Sequence, residues 1–171
     1  MTSLFLLGLP WFAACAHSQS ATQARSTLAG LGDNTGLSGQ VTFLSQSDGV
    51  QIEGHVAGLI PESVHGFHVH ETGSCASADG MSAGGHFNPE GHAHGSITGV
   101  SHIGDLGNIT ADQSGNATIN VFKAGATLGT DANSLLGRAV IVHVTADDLT
   151  SQPTGAAGAR IACGVIEPVS Q

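Results

Sequence analysis

Two adjoining segments of this chain alternate apolar and polar residues on either side of a turn, and this pattern constrains the fold more than any other. Residues 40–46 and 49–57 each repeat every second position, the period of a strand with one buried face. Gln46-Ser47-Asp48-Gly49 joins them, so the pair predicts a β-hairpin. Further runs at 21–29, 64–70, 104–111, 116–122, 138–144 and 160–167 are strand candidates. Asp112-Gln113-Ser114-Gly115 adds a second turn signal. Glycine weakens a helix interior, and the chain holds 25 of them among 171 residues. Eight short strands with glycine punctuation predict an all-β antiparallel sandwich or barrel in one domain. Residues 71–101 and 145–159 show no strand period. Loops of that length in a compact domain usually carry function.

Charge excludes one class of partner. Thirteen acids against 4 bases leave a formal net charge of -9, whereas nucleic-acid affinity rests on Lys and Arg. Histidine, at 10 residues, outnumbers Lys and Arg combined, and neutral imidazole is the commonest metal ligand.

The N-terminus reads as a targeting segment. Leu4 to Ala14 is apolar and uncharged, too short for the ~20 residues of a membrane span but suited to a signal peptide. Phe12-Ala13-Ala14-Cys15 is similar to a bacterial lipobox, with Cys15 the lipidation candidate and a membrane tether as the consequence. The alternative is an ordinary secretory signal with an incidental cysteine. The expected location is the periplasm, or the outer side of the cytoplasmic membrane. Expected boundaries are a signal or lipobox-like segment over 1–15, a linker and first strand over 16–37, and the main domain over 38–171, which can begin near 21. With Cys15 set aside, Cys75 and Cys163 remain as an even pair. An oxidising compartment would let them join; the alternative is two buried thiols.

The anomalous stretches carry the chemistry. His68 and His70 are two apart on a strand candidate and share a face. His86, His92, His94 and His102 crowd the first long loop, with Asp105 just beyond. A disordered histidine tract is the alternative, and the shaped turns Gly84-Gly85 and Asn88-Pro89 argue against it. His143 lies in an otherwise apolar strand, where a histidine is more often a core residue than a ligand. It becomes a ligand candidate because the others need a partner.

Gly66-Phe67-His68-Val69-His70-Glu71, Gly84-Gly85-His86-Phe87-Asn88-Pro89, Gly104-Asp105-Leu106-Gly107-Asn108 and Ala162-Cys163-Gly164-Val165 together resemble copper–zinc superoxide dismutases. The resemblance runs from about Gln40 to Glu167. It implies a Greek-key β-barrel with a zinc and disulfide loop over 71–101 and an active-site loop over 145–159. It implies copper ligands at His68, His70, His86 and His143, and zinc ligands at His86, His94, His102 and Asp105, with His86 shared. His92 is the alternative to His94. Asp147 matches the carboxylate linking a copper histidine to a zinc histidine, with Asp148 as its neighbouring rival. His65 falls at a structural position, and His17 and His55 match no role. Arg160 resembles the arginine that attracts and orients the anion, and Thr154 the threonine facing it.

The activity so implied is disproportionation of superoxide to dioxygen and hydrogen peroxide. Copper would take an electron from one superoxide and give it to the next, with His86 delivering a proton. One copper and one zinc per chain are the implied cofactors, and a homodimer or monomer the implied state. The competing reading is a non-catalytic copper- or zinc-binding sandwich.

Overall fold

The computed structural model describes residues 21–170. Cys15, His17 and the signal-like segment lie outside the described residues. Eight strands form the sheet path: β1 Gln23–Gly30, β2 Ser38–Ser45, β3 Gly49–Ala57, β4 Val64–His70, β5 Asp105–Thr110, β6 Ala117–Ala124, β7 Ala139–His143 and β8 Arg160–Val165. A short β9, Glu167–Pro168, pairs with β1. Among the described residues there is no α-helix, only a 3-10 turn at Met81–Ala83.

The hairpin read from the alternation is β2–β3, paired from Ser38↔Ala57 to Ser45↔Val50. Strand order is β5-β4-β7-β8-β1-β2-β3-β6, with every pair antiparallel. Three neighbour pairs skip in sequence: β4 with β7, β8 with β1 and β3 with β6. That is Greek-key connectivity. The edges β5 and β6 meet at an Ala111↔Ala117 bridge, so the sheet is a nearly closed barrel with little edge left to aggregate. The run expected as one strand over 160–167 breaks at Ile166. Its N–H turns to the Arg138 carbonyl at 2.9 Å, and its carbonyl accepts from Gly137 N–H at 2.9 Å.

Inward positions supply the core. Leu28, Val41, Phe43, Ile52, Phe67, Val69, Ile119, Val140 and Val142 are buried in one cluster. Each large side chain so buried contributes about 1.5–3 kcal/mol. Phe67 and Val69 point into that core, so His68 and His70, between and beyond them, point out of the barrel. They are nevertheless fully buried, because the two long loops cover that face.

A disulfide joins Cys75 in the first loop to Cys163 on β8 across 88 residues of sequence. Loop closure of this length stabilises by about 4 to 5 kcal/mol in the chain-entropy model. Replacing both cysteines with serine should lower urea-derived stability by about that amount; a loss below about 1 kcal/mol would contradict the model.

Candidate metal centre

β4 and β7 bring three histidines to one spot. Phe67↔Val142 and His70↔Ala139 set the register, which puts His68, His70 and His143 on the same outward face. His86 arrives from the loop, pinned by Phe87 N–H to the Val69 carbonyl at 2.9 Å. Gly104 completes that crossing: a Cβ there would lie 2.1 Å from the Val69 carbonyl oxygen, so no side chain fits.

Ring orientation leaves the inner nitrogens bare. His70 Nδ1 donates to the Gly84 carbonyl and His143 Nδ1 to the Gly158 carbonyl, both at 3.0 Å. Each neutral ring therefore presents an unprotonated Nε2, and the two Nε2 atoms face each other at 3.3 Å. Facing lone pairs repel unless a cation lies between them. His68 gives its Nε2 to Asp147 Oδ2 at 2.7 Å, and its Nδ1 is buried without a partner. His86 Nε2 is likewise buried and unpartnered.

A second cluster adjoins the first. Asp105 Oδ1 lies 2.9 Å from His86 Nδ1, 3.0 Å from His94 Nδ1 and 3.2 Å from His102 Nδ1. Four ligands tetrahedral about a metal at 2.0–2.1 Å would stand about 3.3 Å apart. The Asp105 Oδ2 atom is already held, by N–H groups of Gly95 and His102 at 3.1 Å each. The two sets, His68/His70/His86/His143 and His86/His94/His102/Asp105, are buried throughout, and within each the donor atoms lie within 4.8 Å of one another. Both fit a metal ion by their bare nitrogens and donor spacing, and His86 belongs to both.

A family model described as copper/zinc superoxide dismutase (SODC) matches residues 37–166. The chain belongs to the copper/zinc superoxide dismutase family. Among solved structures, one titled as a crystal structure of the clock protein EA4 is 35% identical, covering 88% of this chain and 97% of that one, with a TM-score of 0.78.

The residues matched to this family's site are assembled as two clusters and a bridge. Asp147 is the bridge, accepting from His68 at Oδ2 and from His94 Nε2 at Oδ1, the latter at 2.9 Å. Carboxylates of this kind fix ring tautomer and raise ligand basicity. Asp148 instead accepts from Ser151 and Thr150 at the surface. His94 joins the second cluster; His92 lies partly exposed beside Glu90 at 3.3 Å. His65 Nδ1 donates to the His143 carbonyl at 2.7 Å, and His55 is exposed on β3.

Arg160 opens β8 with its fork on the carbonyls of Gly80 and Gly84. The Gly84 carbonyl also holds His70, so one oxygen orients both. A cavity of about 310 Å³ brings together His70, His143, Thr154, Arg160, Asp79 and Met81. Thr154 and Arg160 thus both line the cavity that reaches His70 and His143 of the first cluster.

Three residues given no role in the sequence analysis complete the frame. Asn108 clamps Asp147, donating to its carbonyl at 2.9 Å and accepting from its N–H at 2.7 Å. Gln152 does the same for the backbone of His94, at 2.9 and 2.8 Å. Gly155, at φ 65°, lies so close that a Cβ would fall 1.8 Å from Asp147 Oδ1. Asn108 stood inside a quoted motif; Gln152 acts across 58 residues of sequence, and Gly155, eight residues from Asp147 in the same loop, carries no local signature of that role.

Burial sets the electrostatics. It drives His68 down to about 4, with Asp147 partly opposing, His143 to about 3 and His70 to about 2. Burial would raise Asp105, but the hydrogen bonds from His86 and Gly95 outweigh it and hold the carboxyl at about 2. Low histidine values keep the rings neutral, the form that binds metal. In the unfolded chain these rings take up protons near 6.5, but in the fold only far below. The unfolded state therefore binds more protons below 6.5, and stability must fall with falling pH there. The metal-free protein should be equally stable at pH 7 and 8, then lose up to about 4 kcal/mol per pH unit on acidification, about 1.4 for each of the three rings. Urea titrations from pH 8 to 4 measure this; a flat profile below pH 6 would contradict it.

Proposed function

We propose that this chain disproportionates superoxide to dioxygen and hydrogen peroxide, with copper at His68, His70, His86 and His143 and zinc at His86, His94, His102 and Asp105. The observation that carries the reading is the single imidazole of His86. It offers Nε2 to an all-nitrogen set open to a cavity and Nδ1 to a closed set containing a carboxylate. Four imidazoles suit a copper redox centre, and a closed three-nitrogen, one-oxygen set suits a structural zinc. Copper supplies one-electron exchange when bound, and zinc supplies fixed charge and structure.

The chain's own residues do the rest. Arg160 places a cation at the cavity beside His70 and His143, where a small anion gains charge-assisted hydrogen bonds. Thr154, on the same cavity, adds a hydroxyl. His86 Nε2, when it is not engaged by copper, is the atom placed to hold a proton next to the reacting anion, while Nδ1 faces the Asp105 cluster that would hold zinc. Asp147 holds the rings of His68 and His94 in register. Hydrogen peroxide is neutral, so Arg160 has little grip on the product.

Export fits the same reading, since a disulfide such as Cys75–Cys163 persists in oxidising compartments; the signal-like segment and Cys15 would bring the chain there and tether it.

The test is pulse radiolysis of the chain loaded with copper and zinc. Second-order decay of superoxide should accelerate in proportion to protein concentration. Full metal uptake with no acceleration would favour the non-catalytic metal-binding reading.

A further inference from the structure

The inward positions of β6 are Ala117, Ile119 and Val121, and the next is Lys123. A lysine on the core side of a barrel strand is unusual, because lysine is almost never fully buried unless paired. Lys123 is 3% exposed. Its Nζ donates to Ser101 Oγ at 3.1 Å in a buried contact. One neutral hydroxyl is weak compensation for a desolvated ammonium.

Ser101 links the ammonium to the second cluster. Ser101 directly precedes His102, whose N–H donates to Asp105 Oδ2 at 3.1 Å and whose Nδ1 faces Asp105 Oδ1. The ammonium is thus tied to the residue next to a cluster ligand. Burial pushes the Lys123 ammonium below the usual lysine range, and the Asp105 and Glu90 carboxylates partly offset that. Glu90 and His92 lie at the rim of a groove of about 470 Å³ that Lys123 also lines, whose other walls include Ile97, Val100 and Phe122. Of the two carboxylates, Asp105 is the buried one, where charge acts through a low dielectric.

We propose that Lys123 is the resident counter-cation of the Asp105 cluster: its ammonium offsets the carboxylate before zinc arrives and repels the ion afterwards, so this one side chain sets how tightly the site holds its metal. A doubly charged ion feels the ammonium twice as strongly as a single charge at the same distance. Removing the positive charge therefore favours the zinc-bound form. This inference rests on the reading that His86, His94, His102 and Asp105 hold zinc.

Zinc affinity, measured by competition with a chromophoric chelator, tests it on the full chain. Lys123→Met keeps an unbranched side chain, one atom shorter, and suits the apolar walls; Lys123→Gln is also neutral and keeps a polar group toward Ser101. Both should bind zinc about tenfold or more tightly than the native chain, about 1.4 kcal/mol. Lys123→Arg keeps the charge and should stay within about threefold, a gain well short of tenfold. Native or weaker affinity in both neutral variants would overturn the assignment, as would an Arg variant that tightens like Met. A native chain that takes up no zinc would overturn the reading of the cluster itself, and the role of Lys123 with it.

Discussion

Replacing His143 with alanine is expected to reduce superoxide turnover to the uncatalysed background while the zinc content stays near that of the native chain. His143 belongs to the first cluster and not to the second. Its Nε2 is one of four nitrogens that would hold copper, and its loss leaves the His70 Nε2 lone pair facing an empty space. The zinc-side ligands reach Asp105 from the other side of His86 and lose no contact. The structural cost is modest. The Gly158 carbonyl loses one hydrogen bond, worth about 1 kcal/mol, and a ring-sized void costs a few more. A domain with about 5–15 kcal/mol of stability, braced by a disulfide, should remain folded. Elemental analysis beside pulse radiolysis reads both quantities. Equal loss of zinc and copper would overturn the separation of the two sites, and full activity in the variant would remove His143 from the copper set.

Substrate guidance should depend on Arg160 nearly alone. Superoxide, the proposed substrate, is an anion and the chain carries -9, so the distant field would repel it. The other three bases contribute little at the cavity. Lys123 is buried against Ser101. Arg138 lies over the Phe87 ring at 4.0 Å and donates to the Glu71 carbonyl. Arg25 is on β1, in a separate surface hollow with Glu167. Asp79 shares the cavity with Arg160 and counters it from the mouth. Charge steering changes association rates by about 10–1000-fold, and superoxide dismutase is a known example of such steering. Arg160→Glu should therefore lower the superoxide rate constant by at least about tenfold, through loss of attraction and of the Gly80 and Gly84 anchors. Salt screens exposed charges beyond about 8 Å at physiological ionic strength. It should weaken the distant repulsion at least as much as the short-range pull of Arg160. The native rate is thus expected to stay flat or rise mildly with added salt. A steep fall with salt, or an unchanged rate in Arg160→Glu, would mean that other groups guide the anion.

What the chain's own order of residues determined is local and periodic. Alternation at period two marks residues 40–46 and 49–57 as a hairpin, and β2–β3 is that hairpin. The His68-x-His70 spacing puts two rings on one face of any strand, because side chains alternate regardless of neighbours. His86 after Gly84-Gly85 and the Asp105 run were legible because each lies in a short motif that resembles the family's, and their ligand roles came from that resemblance. Tertiary structure decided the choices between adjacent candidates. His94 and His92 are two residues apart, as Asp147 and Asp148 are one apart, and no local rule separates them. Gln152, 58 residues away, holds the backbone of His94, and Asn108, 39 residues away, holds that of Asp147. Closure of the barrel likewise depends on Ala111 meeting Ala117 after the other strands are in place. The physical reason is one of range. A backbone's period and turns are written in neighbouring residues, whereas ring tautomers, loop clamps and buried charges such as Lys123 are fixed by hydrogen bonds that form only once distant segments pack together.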